Sequence, residues 1–137
     1  MIYAEDLNYW KTGMSAPDTW IDRAKAEIKS AGGKVASEAF GQDESGHAAY
    51  MLAFSFGTES FRAVWPVLPS KTKNERAAKI QAATMLYHDI KAKAVAAKVH
   101  GARAAFFQYL LLPDGRTAAQ AAAPELTSLW PKLLTGE

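Results

Sequence analysis

The sequence predicts an α+β fold: an N-terminal helix, a three-stranded antiparallel meander, a long central helix packed on the sheet, and a helical C-terminal extension. Three observations carry that prediction. Lys71 to Val99 contains neither proline nor glycine and is rich in alanine and lysine, so it prefers to run as one helix of ~40 Å. Its apolar residues make two stripes, one through Ile80, Ala83, Tyr87, Ile90, Ala94 and Ala97, the other through Ala78, Ala82, Met85, Ala92, Ala96 and Val99. A helix that is apolar on two sides is sandwiched between two layers. Between Lys34 and Val67 the apolar period falls to two, and the short polar connections there require antiparallel neighbours.

In chain order, residues 1–13 form a docked segment dense in Ile2, Tyr3, Leu7, Tyr9 and Trp10. Residues 15–99 make the α-β-β-β-α core. Its first helix starts at Ser15, with Ser15 and Asp18 as a capping box and Pro17 in the first turn, and stops at Gly32-Gly33. Lys34 to Phe40 is a weak strand, Gly41 to Gly46 a polar turn, and His47 to Phe56 the clearest strand. Ser60 to Val67 is the third, and Pro66 confines its end.

Residues 102–134 are a helical extension expected to fill the second stripe of the central helix. Within it, Ala102 to Leu112 reads as helix or strand, Pro113-Asp114-Gly115 as a turn, and Thr117 with Gln120 as a capping box. A last turn or two after Pro124 would carry Leu126, Leu129, Trp130 and Leu133. A chain of 137 residues, 49% hydrophobic, suits one domain spanning residues 1–137.

Composition narrows the function. With no cysteine, disulfides, thiolate ligands and a cysteine nucleophile are excluded. The opening MIYAEDLNYW lacks a basic signal-peptide region, and no stretch nears the roughly 18 apolar residues of a membrane span, so a cytoplasmic location is expected. Charge is asymmetric: residues 1–50 sum to −3 and the remainder to +5. Between Lys71 and Arg103 eight basic residues face only Glu75 and Asp89, and an anionic partner would meet this half first.

Ser70, Lys71, Lys73, Arg76, Ala77, Ala78, Lys79, Ala82 and Ala83 give a lysine cluster followed by alanines after three strands. This arrangement resembles the second helix of double-stranded-RNA-binding domains, and the element order over residues 15–99 also resembles the core of single-strand annealing recombination proteins. The resemblance implies an α-β-β-β-α fold and nucleic-acid binding. Where such domains carry a groove-reading loop, this chain has Gly41, Gln42, Asp43, Glu44 and a later His47.

No catalytic constellation stands out. Tyr87, His88 and Asp89 are consecutive on a helix and diverge by about 100° each, so they do not converge on one atom. Asp89 is expected in an ion pair with a residue such as Arg103, Asp43, Glu44 and His47 in a polar turn, and Tyr50, Phe54, Phe61 and Trp65 in the core. A non-enzymatic nucleic-acid-binding accessory protein is expected, contacting phosphates through Lys71, Lys73, Arg76 and Lys79 at the start of the central helix, with Lys91 and Lys98 further along. The alternative is a small protein-binding adaptor or inhibitor of a larger complex, using the aromatic N-terminal segment or the alanine seam. No metal, cofactor or membrane is expected; DNA or RNA, strand type, and monomer or homo-oligomer are left open.

Overall fold

Pro17 fixes where the first helix begins. In the computed structural model, which describes residues 1–13 and 15–124, α1 spans Pro17–Ser30. The expected Ser15–Asp18 capping box does not form: Ala16 is the N-cap and makes no side-chain cap bond. Proline is pre-shaped for the first helical position and has no N–H to be capped, so it sets the boundary instead. At the other end Gly32 takes φ +97, and the Gly33 N–H bonds the Ile28 carbonyl at 2.9 Å. A side chain on Gly33 would lie 2.8 Å from both Ile28 and the Phe56 ring, so that position has room only for glycine.

Three strands follow: β1 (Lys34–Gln42), β2 (Ala48–Phe56) and β3 (Glu59–Val67), antiparallel in the order β1-β2-β3. β1 runs two residues past its expected end, because Gly41 and Gln42 still pair with Ala49 and Ala48. In cross-strand register, Tyr50 sits between Phe40 and Trp65, and Phe54 between Val35 and Phe61. That register puts Tyr50, Leu52 and Phe54 on one face, where all three are buried with Phe61 and Ala63 under the helices. They are core, as the alternation predicts.

The long helix α2 is Glu75–His100, not Lys71 onward. Asn74 caps it, its side chain accepting from the Ala77 N–H at 3.1 Å. Of the expected sheet-facing stripe, Ala83, Ile90 and Ala94 are buried beside Leu86, while Ile80, Tyr87 and Ala97 are half-buried. The second stripe is divided. Ala78 and Ala82 are buried, whereas Ala92 and Val99 are exposed.

The described part of the C-terminal extension does not run along that second stripe. After the single turn α3 (Ala102–Ala105), Phe106 enters the core against Phe54, Phe56 and Phe61 with ring centroids 5.2–6.0 Å apart. After a 3-10 turn at Phe107–Tyr109, Leu110 bridges Phe61 and the Leu111 N–H bonds the Ser60 carbonyl, so the segment is two short helical turns followed by an extended edge on β3. The Thr117–Gln120 capping box forms as expected and opens α4 (Ala118–Ala122). Gln120 also accepts from the Arg62 guanidinium at 2.9 Å. The turns expected after Pro124 lie outside the described residues.

What backs the first half of α2 is the N-terminal strap, residues 1–13. Buried Gln81 donates from its amide to the Ala4 carbonyl at 2.7 Å and the Asn8 carbonyl at 2.9 Å. Further along, the Tyr9 ring stacks on His88 at 4.8 Å. Ala4 is fully buried and its N–H bonds the Pro69 carbonyl.

Candidate nucleic-acid interface

The six cations predicted to meet phosphate fall into three groups. Lys71 and Lys73 precede α2, in the turn Ser70–Asn74, and are not part of its first turn. Lys71 is committed: its Nζ lies 2.7 Å from Asp6 and 5.5 Å from the Tyr3 ring centroid. Hydrogen bonding to Asp6 raises the Lys71 pKa, and the same bond lowers that of Asp6. Lys73 is exposed and holds φ +58, a conformation that costs a non-glycine residue energy.

Arg76 and Lys79 belong to the first turns of α2. Arg76 is exposed, and the Lys79 ammonium sits 5.1 Å over the Phe40 ring of β1. Lys91 and Lys98 are seven residues apart and so share a face of the helix; Lys91 lies 5.9 Å over the Tyr87 ring. From Arg76 to Lys98 the axial distance is ~33 Å at 1.5 Å per residue. The helix therefore does not gather these residues in one patch; it spaces them along its length.

The turn ahead of α2 contains what the sequence did not reveal. Glu5, from the strap, accepts from the Lys71 N–H (2.9 Å), the Ser70 hydroxyl (2.7 Å), the Thr72 N–H (3.2 Å) and the Thr72 hydroxyl (3.1 Å). Removing water from this carboxylate alone would raise its pKa, but the Lys71 N–H, the Ser70 hydroxyl and the Thr72 N–H outweigh that and hold it at about 2. Ser70 serves both sides of the turn, its hydroxyl oxygen also accepting from the Thr72 and Asn74 N–H groups. Lys11 is a further cation near this end of α2. It lines a shallow cleft of about 180 Å³ with Gly13, Ala77 and Ile80.

The remaining candidates have structural partners. Tyr87 packs on Trp20, His88 on Tyr9, and Asp89 accepts from the Tyr109 hydroxyl and from Lys93 at 2.7 Å. Arg103, the expected partner of Asp89, is instead paired with Glu59 at 2.9 Å, because α3 turns it toward β3. Burial, with the Asp89 charge and hydrogen bond, pushes the Tyr109 hydroxyl pKa far up. Asp43 closes its own turn by accepting from the Ser45 hydroxyl and the His47 N–H. Among the described residues no three His, Asp or Glu gather to hold a metal, and no helix is long and apolar enough to cross a membrane.

No protein-family model, curated protein or solved structure matches the chain.

Sequence reasoning missed Glu5, Asp6 and Lys11. The one available signal was an acidic pair inside a segment otherwise made of large apolar groups. Its destination, 65 residues on, is set by tertiary packing and has no local signature.

Proposed function

We propose that the protein binds the phosphate backbone of a nucleic acid, without sequence preference, through the cations spaced along α2. One observation carries the reading: like Lys11, Arg23, Lys29, Lys34 and Arg62, which are scattered over the strap, α1 and the sheet, the five residues Lys73, Arg76, Lys79, Lys91 and Lys98 have no carboxylate within ion-pairing distance among the described residues. Four of those five lie on α2, over an axial span close to one turn of duplex, about 34 Å. Lys71, paired with Asp6, is the exception within the predicted set. The reading agrees with the resemblance to nucleic-acid-binding α-β-β-β-α domains, which remains a proposal of the same kind.

An electrophoretic shift with single- and double-stranded DNA and RNA at low and moderate salt tests it. Neutralising three or four phosphates gives a slope of log K against log salt of roughly −2 to −4, and each of Arg76→Ala and Lys79→Ala reduces that slope by about one. Absence of any shift at ~50 mM salt refutes the reading. In that event the exposure of Val95 (55%) and Val99 (74%), one turn apart near the end of α2, favours the second one, a protein-binding adaptor or inhibitor.

A further inference from the structure

Two N–H groups and two hydroxyls of a three-residue turn converge on one carboxylate brought from the far end of the chain. The donors are of the kind that hold a phosphate: backbone amides in succession, short hydroxyls, and an adjacent lysine. They do not belong to the helix, whose first turn is capped separately by Asn74. The anion they hold is part of the protein. Beside it, Asp6 occupies the Lys71 ammonium, so the strap fills both the cradle and its nearest cation.

We propose that the Ser70–Thr72 turn is a binding site for a phosphate group and that Glu5 is its internal occupant, so that the N-terminal strap competes with the ligand for the site. This rests on the reading that the end of α2 meets a polyanion. The competition is local. The strap is also pinned by the Ala4–Pro69 backbone bond, by Gln81 and by the Tyr9–His88 stack, so removing the Glu5 carboxylate empties the cradle while these attachments remain. A phosphate entering it meets the Lys71 and Thr72 amides and both hydroxyls, and by displacing Asp6 it gains the Lys71 ammonium as well. Binding is then linked to release of the strap's two carboxylates, Glu5 and Asp6, while the rest of the strap stays in place.

The test uses the full chain with Glu5→Ala, Glu5→Ala combined with Ser70→Ala and Thr72→Val, and Glu44→Gln as a remote control that also removes one negative charge. Inorganic phosphate is titrated while the Lys71 and Thr72 amide resonances are followed, and a single-stranded oligothymidylate is titrated at several salt concentrations. In Glu5→Ala, phosphate shifts both amides and the log K to log salt slope for the oligonucleotide steepens by about one. The triple variant and Glu44→Gln show neither change. Where Glu5→Ala fails to fold, Glu5→Gln keeps the acceptor, loses the charge, and gives the same change to a smaller extent. A folded Glu5→Ala or Glu5→Gln whose Lys71 and Thr72 amides ignore phosphate overturns the proposal and leaves Glu5 as a structural latch. If phosphate shifts those amides but no nucleic acid binds any variant, the site stands and the polyanion reading falls.

Discussion

The two halves of α2 hold four alanines each and have opposite surroundings. From Glu75 to His88 the helix is enclosed on almost every side: Ala78, Gln81, Ala82, Ala83, Thr84 and Leu86 are all buried. From Asp89 to His100 only Ile90 and Ala94 are, and Ala92, Val95 and Val99 face water. Alanine fits either environment, so the alanines do not distinguish the halves. The neighbours do: the strap crosses the first half, where it meets Gln81 through hydrogen bonds and His88 through a ring stack. The enclosed half also accommodates polar groups, because Gln81 has two carbonyls to donate to and the Thr84 hydroxyl bonds the Ile80 carbonyl at 2.6 Å.

The contrast is most easily broken by placing a charge on each half. Leu86→Asp or Leu52→Asp should unfold the protein, since each buries an unpaired carboxylate at a site with no solvent access, a loss of several kcal/mol. Val95→Asp should leave the thermal midpoint within the range of a change of about 0.5 kcal/mol. Equal midpoints for Leu86→Asp and Val95→Asp would mean that the halves are not differently enclosed.

A smaller effect sharpens the role of the strap. Gln81→Leu removes the donor and leaves the Ala4 and Asn8 carbonyls against an apolar group, at a cost of about 1–3 kcal/mol. It should also speed proteolysis between residues 1 and 13, and a strap as resistant as wild type would refute this anchoring. On the open half, Tyr109→Phe removes one bond to Asp89 and leaves Lys93 in place. A loss of about 1 kcal/mol is expected in chemical denaturation.

The smallest effect is a pH dependence at the strap. Glu5 is held at about 2 in the folded protein against an ordinary 4.5, so its contribution is present in full above 4.5. It declines as pH falls from there and is lost once pH drops through about 2. Amide exchange at Lys71 and Thr72 should therefore accelerate on acidification below 4.5, relative to amides in the middle of α2. The same acceleration in Glu5→Gln would assign the dependence to another group.

Much of the architecture was legible because it is written locally. The alternation of Tyr50, Leu52 and Phe54, the Gly32-Gly33 stop and the Thr117–Gln120 capping box each depend on residues a few positions apart, and each formed as read. The Ser15–Asp18 box is as local but lost to a competing local rule, the proline at the first helical position. Lys71 to Asn74 reads as helix by propensity, yet Glu5 holds it as a turn. The candidate site was legible only as a row of cations. Which of them was already committed depended on Asp6, whose approach to Lys71 is a property of the assembled fold.

The sheet has unequal margins, and this limits how copies of the protein can join. At β3 the Ser60 carbonyl is taken by Leu111, Leu110 bridges Phe61, and Pro66 near the other end has no N–H to offer. β1 has no strand on its outer side among the described residues, and an irregularity between Val35 and Ser37 interrupts its start. A filament that grows by strand addition needs two receptive edges on every unit. A unit with only one receptive edge would stop such growth at a pair.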